Sequence, residues 1–147
     1  MELRKIKVDK SDIDKVIRSC YEKDSSVYVY SQYKNESFDD IIKHERSVIG
    51  EDLNFYKLYD EDKFIGYFGI EDKPISTLTT FYISPEYRDR KNAIWKYMTS
   101  HLPKTFYAAL YDVNTRAKRF FDNQGAKVIK TGLIDNKPST IYMFEED

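Results

Sequence analysis

Cysteine is nearly missing from this chain: one thiol, Cys20, in 147 residues. That excludes an internal disulfide framework and fits a reducing compartment. Cys20 also falls on an apolar helical stripe, which marks a buried structural thiol rather than a nucleophile. A surplus of one charge is missing too. With 24 Lys and Arg against 25 Asp and Glu, the net charge is −1, so no global field argues for nucleic acid. Any basic patch must be local. Apolar runs fall far short of a membrane span, and Met1-Glu-Leu-Arg-Lys lacks the apolar stretch of a signal peptide. The expectation is a cytoplasmic protein with neither nucleic-acid nor membrane partners. Five scattered glycines and four prolines offer no linker, so 1–147 reads as a single domain. His44 and His101 have no metal-ligand spacing to each other or to Cys20, and no metal is expected.

What is present is aromatic and patterned. The 13 Tyr and 9 Phe suit core and half-buried sheet surfaces. Glu2 to Val8 reads as a strand. Ser11 opens a helix with Asp14 as its capping-box partner, and Ile13, Val16, Ile17, Cys20 and Tyr21 share one face. A tyrosine-rich connection with Tyr28, Tyr30 and Tyr33 follows, then a helix from Phe38 to about Gly50. Two strands flank the turn Asp60-Glu61-Asp62, and "ISTLTTFYIS" is a third β-branched run. Pro103 ends the next helix. "KTFYAALYDV" is a strand, and "NTRAKRFFDNQG" is a helix with Asn114 as N-cap and Gly125 at the left-handed C′ position. Two strands close the chain. The order β-α-α-β-β-β-α-β-α-β-β is an α+β or mixed α/β pattern.

One stretch, "ISPEYRDRKNAIWKYM", does not obey helix electrostatics. Arg88, Arg90 and Lys91 crowd the first turn of a helix whose dipole favours anions. Strand, turn and helix N-terminus together make a phosphate site, and cations belong there if a phosphate visits. The plainer alternative is that Glu86 and Asp89 offset exposed charges of little energetic weight.

Two motifs extend this reading. "YISPEYRDRKNA" resembles the strand and pyrophosphate loop of the GNAT superfamily of acyl-CoA-dependent N-acetyltransferases on Ile83, Pro85, Tyr87, Arg88 and Ala93. "NTRAKRFFDNQGA" resembles that family's following helix on Asn114, Ala117, Phe120 and Gly125. The resemblance implies a central, mostly antiparallel sheet flanked by helices, with two strands splayed around a pantetheine arm. It implies acetyl-CoA or another acyl-CoA as co-substrate, held by Phe81, Tyr82, Ile83, Arg88, Asp89, Arg90, Lys91, Asn92, Ala93, Asn114 and Phe121. The implied reaction is acyl transfer to a primary amine of a small molecule or protein, by direct attack in a ternary complex. Homodimers are common in that family.

Three departures set a rival beside this. Asp89 and Lys91 stand where the family has glycine, offering charge where glycine offers close approach. Phe121 replaces a tyrosine thought to protonate the leaving thiolate; Tyr111 is an alternative only by proximity in sequence. No base is assigned: Thr79, Thr80 and Tyr82 are hydroxyls suited to holding a water, while Glu71 and Asp112 read as solvated strand ends. The rival is a catalytically inactive module of the same fold that recognises a protein partner or small ligand.

Overall fold

The computed structural model describes residues 1–24, 37, 39–40, 53–72, 74–134 and 136–145. In chain order these form β1 (Leu3–Lys7), a 3-10 turn (Lys10–Asp12), α1 (Ile13–Lys23), β2 (Leu53–Asp60), β3 (Lys63–Glu71) and β4 (Thr77–Ile83). A second 3-10 turn (Pro85–Arg90) leads into α2 (Lys91–Thr99), followed by β5 (Thr105–Tyr111), α3 (Thr115–Asn123), β6 (Lys127–Ile134) and β7 (Lys137–Glu145). One seven-stranded sheet has the order β1-β2-β3-β4-β5-β7-β6. Every neighbouring pair is antiparallel except β4 and β5. The mixed α+β architecture expected from the sequence is the one observed.

Adjacent residues on a strand point to opposite faces, and Tyr67 and Phe68 on β3 accordingly join separate cores. Tyr67 packs with Phe55, Leu53 and the α1 residues Ile13, Val16, Ile17, Cys20 and Tyr21. Phe68 belongs to a larger core with Trp95 and Met98 of α2, Phe120 and Phe121 of α3, and Phe106, Tyr142 and Phe144. β3 is therefore buried on both faces, which explains its continuous apolar run from Ile65 to Ile70. Cys20 is buried, and desolvation pushes its thiol up to about 12. It is a core residue.

Several local expectations change. The first helix is not capped by Ser11. Asp9 accepts from the Ser11 N–H at the head of the 3-10 turn, and α1 begins two residues later at Ile13. α2 ends at Thr99, four residues before Pro103, where the backbone bonds tighten to three-residue spacing: the His101 N–H donates to the Met98 carbonyl and the Leu102 N–H to that of Thr99. The β2–β3 turn is tighter than expected: Asp60 pairs with Lys63 in the ladder, leaving Glu61 and Asp62, with Glu61 at φ 54°. Glu71 lies within β3, opposite Thr77. Asn114 caps α3 through the Ala117 N–H, and Gly125 follows it at φ 79°, both as expected. The expected helix from Phe38 to Gly50 lies outside the described residues apart from Asp39 and Asp40, which are helical. Tyr28, Tyr30, Tyr33 and His44 lie outside them altogether. No helix among the described residues is long and apolar enough to cross a membrane. Nor do three His, Cys, Asp or Glu side chains gather there as metal ligands would.

Candidate functional site

The sheet opens at its centre. β4 and β5 share one ladder pair, Thr77 opposite Tyr107, and then part. Just beyond that pair β4 carries a bulge. Gly69 faces Thr80 and Ile70 faces Leu78, so Thr79 is the extra residue, and its hydroxyl donates to the Gly69 carbonyl at 3.1 Å. A bulge bends a strand and increases its twist, which turns β4 away from its parallel neighbour. From Thr79 to Ile83 the β5-facing edge of β4 has no ladder partner among the described residues.

Side chains join the strands where the backbones separate. Phe81 of β4 meets Trp95 at 5.6 Å, Phe121 at 5.9 Å and Phe120 at 6.2 Å between ring centroids. Trp95 and Phe121 in turn contact Phe144 on β7, at 5.3 and 5.1 Å. The gap is thus walled by aromatic rings from β4, α2, α3 and β7. Phe121 is almost fully buried there and lies 5.3 Å from Tyr142.

The three cations of the turn have separate fates. Pro85–Arg90 is a 3-10 turn rather than the start of the helix, and the Lys91 N–H donates to the Arg88 carbonyl. The sequence expectation of a bare helix N-terminus is corrected to that extent. Arg88 turns inward: its guanidinium meets the buried Asp24 carboxylate at 2.5 Å, and its Nε–H donates to the Ile83 carbonyl at 3.2 Å. The Tyr82 hydroxyl donates to the same Asp24 oxygen at 2.8 Å. Burial, reinforced by that carboxylate, raises the Tyr82 phenol well above its usual range. Arg90 stacks on the Tyr87 ring at 4.0 Å and lies 3.6 Å from Asp89. Lys91 reaches across to α3, its ammonium 5.3 Å from the Phe120 ring centroid. Beside it, Gln124 donates to Asn92 at 3.0 Å. Two contacts therefore span from the start of α2 to the end of α3.

The other candidate residues are distributed less closely. Phe81 and Ile83 sit on the free edge of β4, while Tyr82 points to the α1 face and stacks on Tyr67 at 5.5 Å. Ala93 lies on the first turn of α2 and Asn114 is occupied as the cap of α3. Asp112 accepts from Thr140 at 2.7 Å and Lys118 at 3.2 Å, and those partners lower its carboxyl below the usual range. Tyr111 ends β5 opposite Ser139, with Lys137 over its ring. Thr79 and Tyr82, suggested as water-holding hydroxyls, both donate to protein acceptors. Asp24 and Gln124 went unnoticed in the sequence. A lone acid after an amphipathic helix and an amide beside a C′ glycine carry no motif of their own.

Residues 29–110 match the family model for an acetyltransferase (GNAT) domain, more than half of the chain. The chain belongs to the GNAT acetyltransferase family. No curated protein sequence matches it. Solved structures agree on the fold. An acetyltransferase from Thermus thermophilus superposes with a TM-score of 0.70 at 18% identity, covering 97% of this chain and 96% of the other. The aminoglycoside N(6')acetyltransferase of Legionella pneumophila gives 0.68 at 12% identity, covering 98% and 92%. A chimera of the Vibrio cholerae spermidine N-acetyltransferase SpeG and hSSAT gives 0.59 at 15%, covering 99% and 96%. Such identities speak to the fold alone. Family membership supports acyl transfer from acyl-CoA as the general activity of this GNAT domain.

Proposed function

We propose that this GNAT protein transfers an acetyl or related acyl group from acyl-CoA to the primary amine of a small molecule, by direct attack with both substrates bound. The observation that carries the reading is the parting of β4 from β5 after Thr77 and Tyr107. It leaves the backbone of Phe81 to Ile83 as an open strand edge, suited to the paired amides of a pantetheine arm. Arg90 and Lys91, outward of the partly buried Arg88, supply charge for the diphosphate, with Asp89, Asn92 and Ala93 completing the loop. Asn114 and Phe121 border the far side.

Bound coenzyme supplies an activated thioester carbon: the amine forms a new C–N bond to it, the C–S bond breaks, and the amine's proton passes to solvent or sulfur. The chain's part is to orient both partners, a contribution that proximity alone makes large. Phe121 has no proton to give, and a thiolate leaves tolerably near neutral pH. A small amine as acceptor is supported by the solved relatives that are named for spermidine and aminoglycosides.

The spanning contacts, Lys91 to Phe120 and Gln124 to Asn92, favour a second reading. In it they lie across the coenzyme's path and the domain binds without catalysis. Calorimetric titration of acetyl-CoA and free CoA separates the two, with an Arg90→Ala/Lys91→Ala variant alongside. Micromolar binding that weakens in the variant supports transfer. Absence of binding at millimolar coenzyme overturns it in favour of the inactive module.

A further inference from the structure

On the transfer reading above, the coenzyme lies along β4 with its diphosphate at Arg90 and Lys91. Its acyl end then falls where the gap closes, beside Thr77 and Tyr107. On one face of the sheet Phe81, Trp95, Phe121 and Phe144 wall that gap. The amine has to come over the opposite face, the one on which α1 packs.

Among the described residues α1 occupies only part of that face. Its core takes in Leu53 and Phe55 of β2 and Tyr67 of β3, and no residue of β5 or β7. Side chains alternate along a strand, and Phe106, Ala108, Tyr142 and Phe144 belong to the other core. Tyr107 and Ala109 of β5 therefore share the α1 face with Met143 and Ile141, their ladder partners on β7. Ala109 is exposed and the other three are half-buried. Together they form an apolar floor that starts at the closed end of the gap, and the small Ala109 leaves room above it.

The charges on the two sides of this floor differ. Glu71 stands on the α1 face one strand before the gap, in the row Glu71, Thr77, Tyr107. On the far side the exposed Lys130 lies opposite Ile141, in the regular stretch that follows the slip at Val128. Lys127, opposite Met143, is matched by Glu145 at 3.2 Å. The row Ala109, Ile141, Lys130 thus leads from the gap over apolar surface to a cation, about 10 Å from β5 to β6 at ordinary strand spacing. A polycation lying along that row sets its second charge against Lys130. Turned the other way, it meets the packed core under α1.

We propose that the acceptor is a monoamine with an apolar, aromatic body and a carboxylate at its far end. The ammonium enters on the Glu71 side of the gap, the ring lies over Ala109 and Ile141 beside Tyr107 and Met143, and the carboxylate meets Lys130. Polyamines and aminoglycosides are poor substrates for the same reason. The inference rests on the transfer reading and narrows it.

The test compares kcat/KM for acetylation of para-(aminomethyl)benzoate, benzylamine and spermidine, read as thiol released from acetyl-CoA. The carboxylate-bearing amine should lead benzylamine by about threefold or more, the size of one exposed charge contact. It should lead spermidine by more than about tenfold. Added salt should narrow the first ratio, and Lys130→Glu should invert it. Spermidine as the best acceptor, or a first ratio that ignores Lys130→Glu, overturns this inference and leaves the transfer reading standing. If acetyl-CoA binds but no amine is turned over, para-(aminomethyl)benzoate is titrated into protein saturated with free CoA. Binding that weakens in Lys130→Glu supports the inference, and absence of binding at millimolar amine overturns it. Failure of acetyl-CoA itself to bind overturns the transfer reading and this inference together.

Discussion

The guanidinium of Arg88 and the carboxylate of Asp24 meet at 2.5 Å across 64 residues of sequence, tying the end of α1 to the loop after β4. Asp24 is 4% exposed and Arg88 25%, so the carboxylate is the more deeply buried partner, and it accepts from Tyr82 as well. The residue that motif reasoning assigns to a phosphate also joins this loop to α1. Breaking a buried pair strands a charge and costs about 3–5 kcal/mol. Asp24→Ala and Arg88→Ala should both lose stability on that scale in urea denaturation. Tyr82→Phe, which removes one hydrogen bond and leaves the pair, should lose about 1 kcal/mol. Equal losses for all three would show that the ion pair does not organise the loop.

Glycines here divide by what surrounds them. A Cβ on Gly66 would lie 2.0 Å from the Tyr82 carbonyl oxygen, backbone that cannot yield. Gly66→Ala should prevent folding or shift β3 against β4, seen as lost expression or a collapsed melting transition. Gly125 has open space but φ 79°, so alanine there should cost about 1 kcal/mol through backbone strain. Gly132 has neither constraint, and Gly132→Ala should be close to neutral.

Trp95 is the chain's single tryptophan and touches rings from β4, β5, β7 and α3. Trp95→Ala should cost about 3–5 kcal/mol. In the wild type its emission reports on the wall of the β4–β5 gap. Acetyl-CoA entering that gap should change Trp95 fluorescence saturably, and the midpoint should agree with the calorimetric affinity. A calorimetric signal without a fluorescence change would place the coenzyme elsewhere.

Asp112 predicts a direction in pH. Hydrogen bonds from Thr140 and Lys118 hold its folded pKa below the ordinary carboxylate value. The stability it contributes is therefore fully present above the unfolded pKa, about 4. It disappears as pH falls through the lower folded value. Melting of wild type and Asp112→Asn between about pH 2 and 7 should differ by a constant amount above about pH 5 and converge below about pH 4. A gap that widens on acidification would contradict the assignment.

Much of this protein was legible in one dimension because the relevant physics is local. Periodicity marked β1, α1 and the later strands; Asn114 and Gly125 marked α3 with its caps; the runs flanking Asp60-Glu61-Asp62 read as a half-buried hairpin, whereas β3 is buried on both faces. The two motifs led to the family for the same reason, since each lies on contiguous residues. Local reasoning failed where a competing partner came from nearby: Asp9 took the cap from Ser11, and three-residue bonds from His101 and Leu102 replaced the α ladder before Pro103 was reached.

The sequence by itself determined the class of fold, the family and the position of the charged turn. Tertiary structure decided what those charges do. Arg88 meets Asp24, Arg90 lies on Tyr87 and Lys91 on Phe120, two of these pairings joining distant parts of the chain. It also decided that β4 leaves β5 after a single pair and that rings wall the space between. The physical reason is range. Helix periods, caps and turns are settled among residues a few positions apart, whereas the partner of a buried charge is whichever group the packed elements bring within hydrogen-bonding distance.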